Sequence, residues 1–204
     1  MANIVLLIIA VLAVKLLWKI YSPGLKGLFG EKLVGRSLAG LPESHKVIND
    51  LMLRTDRGTT QVDHTVISPQ GIFVIETKTY DGWIFGSERD RYWTQVLHRK
   101  KIGFYNPLHQ NYGHVQALRT TLARFNDIDY YSIVVFNGGC ELKKVPPGAM
   151  YRNNLIDFIL SRKSGRVISG GDVDRIYSTL LQANILDRTT KREHRESVRA
   201  RKAV

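Results

Sequence analysis

Two runs of β-branched residues, 60–67 and 72–78, are joined by Ser68-Pro69-Gln70-Gly71, a sequence suited to a tight turn. If the turn closes symmetrically, Ile67 stands opposite Ile72, Asp63 opposite Glu76 and Gln61 opposite Lys78. Side chains alternate along a strand, so these last four share one face, while Val62, Val66, Phe73 and Ile75 take the other, a core face. A bulge at Gly71 would slip the register and part Asp63 from Glu76. Two carboxylates opposed across a strand pair, with Cβ atoms about 5 Å apart, repel each other. A divalent cation between them removes the repulsion, and Mg²⁺ commonly takes one or two carboxylates with waters and phosphate oxygens. Lys78 would place an ammonium beside such an ion, where it can orient a water or offset charge developing on a phosphate. The same spacing also allows a plain Glu76–Lys78 ion pair on a solvated strand.

The elements that must position these residues can be read around the hairpin. Apolar residues over 25–41 approximate a helical stripe that ends near Gly40 and Pro42, and residues 46–53 read as a strand. Beyond the hairpin, 83–85 and 92–97 are short strands, 108–125 a helix, and 130–136 an apolar strand closed by Asn137-Gly138-Gly139. Helices follow near 154–163 and 173–186, the second capped by Asp172. This order predicts a single α/β domain built on one mixed sheet.

Composition narrows the chemistry. The 204 residues carry 30 Lys and Arg against 18 Asp and Glu, a formal charge of +12, which favours polyanionic partners: nucleic acid or an anionic membrane face. Residues 91–126 hold six of these cations and no carboxylate, and the tail from Arg188 is basic as well. The single cysteine, Cys140, excludes an intrachain disulfide and a thiolate zinc cage, and reads as a small buried hydrophobe. At the amino terminus, residues 2–20 are almost wholly apolar and as a helix would rise about 28 Å, close to the hydrocarbon thickness of a bilayer. Lys15, Lys19 and Lys26 follow the apolar run, the reverse of a secretory signal. Residues 1–21 are therefore expected to form a single-pass anchor in the cell membrane, amino terminus outside and the following domain cytoplasmic. Residues 22–26, with Ser22-Pro23-Gly24, serve as a linker.

Taken in order, Gly30-Glu31, Gln61-Val62-Asp63-His64, Gly71-Ile72-Phe73-Val74-Ile75-Glu76-Thr77-Lys78, Trp93, Asn106-Pro107-Leu108-His109-Gln110 and His114 resemble the nuclease-related domain (NERD) family. That family is placed in the PD-(D/E)XK nuclease superfamily. The resemblance implies a restriction-endonuclease-like mixed sheet flanked by helices, here preceded by the amino-terminal transmembrane helix. Its motif core covers about residues 27–122 of a domain spanning 27–186, with 187–204 as a basic tail. It also implies roles. Asp63 and Glu76 match metal-binding carboxylates for Mg²⁺ or Mn²⁺, and Lys78 matches a catalytic lysine. Glu31 matches an acidic residue on the first helix, and Gln110 a glutamine that one branch pairs with a tyrosine four residues on, where this chain has His114. His64 and His109 read as structural or surface histidines ahead of bases.

Two functions follow. One is a membrane-anchored, metal-dependent nuclease that hydrolyses phosphodiester bonds, with DNA ahead of RNA as substrate. Residues 91–126 would then bind the backbone and Tyr92, Trp93, Phe104 and Tyr105 would be available to stack on bases, against a plain core role for these rings. The other is a membrane-anchored binding module of the same fold, for nucleic acid or protein, without catalysis.

Overall fold

The computed structural model describes residues 24–202 except 126 and 166. The anchor expected over residues 1–21 lies outside the described residues; among those described, no helix is long and apolar enough to cross a membrane. Helix α1, over residues 24–38, already includes 24–26 of the expected linker. Its Val34 and Leu38 are buried, whereas Leu25, Leu28 and Phe29 are exposed.

Strands β1 (Lys46–Thr55), β2 (Gly58–Ser68) and β3 (Gly71–Thr79) form an antiparallel meander. The chain then leaves through β4 (Gly82–Phe85), β5 (Tyr92–Leu97), β6 (Lys100–Tyr105) and α2 (Pro107–Thr121). It returns as β7 (Tyr130–Asn137), parallel to β3, and continues through β8 (Cys140–Lys144) and β9 (Ala149–Tyr151) to α3 (Leu155–Ser161), α4 (Gly170–Ala183) and α5 (Arg188–Lys202). The main sheet has the order β1-β2-β3-β7-β9. Both of its faces are covered. Ile67, Ile72 and Val74 pack with Val115 and Leu118 of α2 and Ile176 and Leu180 of α4. Val66, Phe73 and Ile75 pack with Val34 of α1 and Leu155 and Ile159 of α3.

The single mixed sheet read from the sequence is in fact two. A second sheet has the order β6-β5-β4-β8, and its Ile84 and Trp93 join Val134 and Phe136 of β7 in a third core cluster. The cause is a shared bend. The parallel pair β3/β7 runs to Thr79↔Asn137, both strands turn, and pairing resumes as β4/β8 from Gly82↔Cys140. Gly82 and Gly138 sit at positive φ (79° and 92°), and a Cβ there would stand 2.2 Å from Val96 O and 2.5 Å from Tyr80 O. Only glycine lets the backbones pass this closely.

Two smaller expectations also change. Ser169, not Asp172, caps α4: its Oγ accepts the Asp172 N–H at 3.1 Å. Val62 packs on the α2/α4 side and not with Val66, Phe73 and Ile75. Asp50, facing this level from β1, has φ 54°, so the meander is kinked there and strict alternation fails.

A candidate active site on β3 and α2

The turn 68–71 closes symmetrically, and Ser68↔Gly71 through His64↔Ile75 pair as the sequence predicts, with no slip at Gly71. The described β2/β3 pairs stop at His64. Ile72 N–H donates to Asp129 O on the β7 side, so alternation turns Thr77 N–H towards β2. Its acceptor is Asp63 Oδ2 at 2.8 Å. The strands part here, and the Asp63 side chain stands in for a ladder carbonyl.

Glu76 and Lys78 face α2. That helix is seated by two buried asparagines. Asn106 caps it, accepting the Leu108 N–H at 2.9 Å, and donates to the carbonyls of Ser87, Glu88 and Asp90. Asn111 donates to Val74 O and Ile133 O, pinning the helix across β3 and β7. Gln110 and His114, one turn apart on the same face, therefore meet β3. Lys78 Nζ donates to Glu76 Oε1 at 2.6 Å and to Gln110 Oε1 at 3.0 Å. His114 Nε2–H donates to Glu76 Oε2 at 3.1 Å, and the Thr60 hydroxyl is hydrogen-bonded to Nδ1 at 2.8 Å.

These interactions set the charges. Burial and the neighbouring Glu76 charge push the Asp63 carboxyl well above its usual range, against the Thr77 N–H. Burial would also raise Glu76, but the Lys78 ammonium and the His114 hydrogen bond outweigh it and bring the group down to about 2. Burial would lower Lys78, yet its pairing with Glu76 prevails and holds it above the ordinary lysine value, so it is an ammonium at neutral pH. Glu31 on α1 is raised by burial and by Asp50 and Glu76, and lowered by Lys78, so it lies within reach of the same charges.

The structure separates other expected neighbours. Gln61 donates to Asp50 Oδ1 at 3.0 Å, leaving Lys78 to Gln110. His64 lies buried under α1, Nδ1–H donating to Asn49 Oδ1 at 2.7 Å, and burial lowers it to about 4. His109 Nε2–H donates to the Glu88 carbonyl. Trp93 and Phe104 belong to the core, whereas Tyr92 and Tyr105 are exposed. The basic stretch is not one surface either: Arg119 lies over the Tyr130 ring and Arg124 bonds to Thr179 on α4. Cys140 is buried, as expected.

Sequence reasoning missed the His114–Glu76 hydrogen bond, Thr60 and Asp50. The i, i+4 spacing of Gln110 and His114 was a usable signal for the first; nothing marked an aspartate at positive φ inside a strand.

Among the described residues, no three His, Cys, Asp or Glu side chains gather into a metal cage. The donor set nevertheless fits an ion that brings its own waters. Asp63 uses Oδ2 on Thr77, and its carboxyl is raised chiefly because burial and the Glu76 charge penalise a second charge here, a penalty that a cation removes.

A family model described as "Nuclease-related domain" (NERD) matches residues 26–137. An uncharacterized protein of Bacillus anthracis is 40% identical over 183 residues, covering 86% of this chain and 85% of its own. No solved structure matches the chain.

Proposed function

The chain belongs to the nuclease-related domain family, and from that premise we propose that it is a divalent-metal-dependent nuclease acting on nucleic-acid phosphodiesters. The carrying observation is the arrangement of half-buried Asp63, Lys78 and Gln110 around the buried Glu76, in which a charged lysine is held between a carboxylate and an amide oxygen. Asp63 and Glu76 would hold Mg²⁺ or Mn²⁺; when bound, such an ion acts as a Lewis acid at a phosphate oxygen and lowers the pKa of a water.

The protein's own groups do the rest. Gln110 fixes the Lys78 ammonium, which donates to an attacking water or to a phosphate oxygen as charge develops there. His114, oriented by Thr60, holds Glu76 in its ionised form. Glu31 adds negative charge to the same site. DNA comes ahead of RNA as substrate, following the restriction-endonuclease-like class. Residues 1–21 anchor the chain in the cell membrane with the domain in the cytoplasm, so deleting them should release the protein from a membrane fraction.

The test offers the full chain single-stranded and duplex substrates, with and without free ends, in Mg²⁺, Mn²⁺ or EDTA. Asp63→Asn, Glu76→Gln and Lys78→Met should each reduce metal-dependent cleavage by at least about 100-fold. Equal activity in the wild type and all three variants would assign the cleavage to a contaminant and the domain to a binding role.

A further inference from the structure

The second sheet has one face in the core and one in solvent. Ile84, Trp93 and Gln95 are buried, so their strand neighbours point outward. The register aligns these outward residues in rows: Trp83 with Val96 and Lys101, Phe85 with Thr94 and Gly103, and Tyr92 with Tyr105. The rings are large and accessible: Trp83 is 50% exposed, Tyr92 56% and Tyr105 48%. Cations stand among them, with Lys143 Nζ 5.1 Å from the Trp83 ring centre, Arg91 5.6 Å from that of Tyr92, and Lys101 exposed. Glu141, the carboxylate paired across from Trp83, is already engaged by Lys143. On the edge strand β6, Gly103 leaves the backbone bare, with nothing within 4 Å of where a Cβ would be.

Rings with open faces, spaced by rows two residues apart and bordered by cations, suit bases that have been unstacked from a duplex. A duplex would present phosphates to this surface and keep its bases away from the rings. Among the described residues, Lys143 is the one of these cations paired with a carboxylate, Glu141, and exposed Glu88 and Asp90 stand only at the Arg91 end of the face. The Tyr105 ring also meets that of His109, beside Gln110 of the lysine site, so the face continues towards the place where the strand would be cut.

We propose that this outer face, built on Trp83, Phe85, Tyr92 and Tyr105 with Arg91, Lys101 and Lys143, binds single-stranded nucleic acid by base stacking. The proposal rests on reading the chain as acting on nucleic acid, and it adds the strandedness and the docking surface.

The experiment is fluorescence anisotropy of the full chain with a labelled 15-nucleotide single strand and with its duplex, in EDTA so that nothing is cut. The single strand should bind more tightly. Trp83→Ala and Tyr105→Ala should each weaken it about 5- to 100-fold and leave duplex binding nearly unchanged, whereas Trp83→Phe and Tyr105→Phe should retain it. Unchanged single-strand affinity in both alanine variants overturns the proposal. So does the absence of oligonucleotide binding together with self-association, seen by sedimentation, that Trp83→Ala abolishes; the face would then join copies of the chain. Cleavage by Asp63→Asn is a separate readout. If that variant cuts as well as the wild type, the active-site reading fails while the anisotropy result stands.

Discussion

Replacing Asp63 by asparagine keeps an oxygen for the Thr77 N–H but removes the charge that burial and Glu76 oppose. Two unit charges about 5 Å apart repel by about 3 kcal/mol at an effective dielectric of about 20. The weaker neutral hydrogen bond to Thr77 and the weaker attraction to Lys78 offset about 1–2 kcal/mol of that. Asp63→Asn should therefore stabilise the metal-free protein by about 1–2 kcal/mol, raising Tm by about 2–8 °C. The pH dependence carries a sign. The folded-state value of Asp63 lies above the unfolded one, so the stability it contributes is full below about pH 4 and is lost as pH rises through the folded value. Asparagine does not titrate, so the gap between variant and wild type should open with rising pH and close towards pH 4. Saturating Mn²⁺, at about a hundredfold over Kd, should add about 2.7 kcal/mol to the wild type and almost nothing to the variant. Differential scanning fluorimetry in EDTA and in Mn²⁺, from pH 4 to 8, reads all of this. A variant that melts below the wild type in EDTA at pH 8, or that keeps the metal shift, refutes the reasoning.

Glu76→Gln should act in the opposite direction, destabilising by about 3 kcal/mol at neutral pH because it leaves the buried Lys78 ammonium without its counter-charge; urea unfolding measures it. Because Glu76 titrates near 2, its stabilisation is full above about pH 4.5 and fades as pH falls towards 2, which acid unfolding of wild type against Glu76→Gln should show. His64 has its value lowered to about 4, so the fold should lose up to about 3 kcal/mol as pH falls from 6.5 to 4, and His64→Gln should flatten that slope in urea titrations. Helix α5 is capped by Asp187 and tied to Thr59 through His194, and it carries the basic tail; deleting 188–204 should lower the salt slope of duplex binding by about 0.9 for each phosphate that the tail neutralises. An unchanged slope would remove the tail from nucleic-acid binding.

The hairpin was legible because its turn has four residues of unambiguous type and the strand period is two, so the pairing from Ser68↔Gly71 to His64↔Ile75 followed from counting; Asp63 and Glu76 lie beyond the last of these pairs, where the strands part and counting no longer holds. Strands 92–97 and 130–136 were legible for the same local reasons. What escaped depends on the meeting of distant segments. The bend that splits the sheet needs Gly82 at the start of β4 and Gly138 in the connector from β7 to β8, which come together only after folding. The partner of Gln61 depended on the backbone of Asp50, whose positive φ has no mark in its residue type. Trp93 and Tyr92 could not be sorted into core and surface until β4 and β7 were placed, because either face of a short strand can be the buried one.

The bend at Gly82 and Gly138 also constrains chain length. From Ile72↔Tyr130 through Thr79↔Asn137, and again from Gly82↔Cys140 to Ile84↔Leu142, each residue's partner lies the same number of positions downstream. The two strands cross the fold with connectors of equal length, like two rails laid around one corner. An inserted or deleted residue in one connector would put the rails out of step and set β4 against the wrong face of β8, unless the other connector changed by the same amount. A change of length should therefore be tolerated outside this stretch, as in the 98–99 turn or past Ile84, where the ribbon already shifts by one to Phe85↔Lys144, and the orientation of the second sheet to Lys78 is tied to the count of residues between.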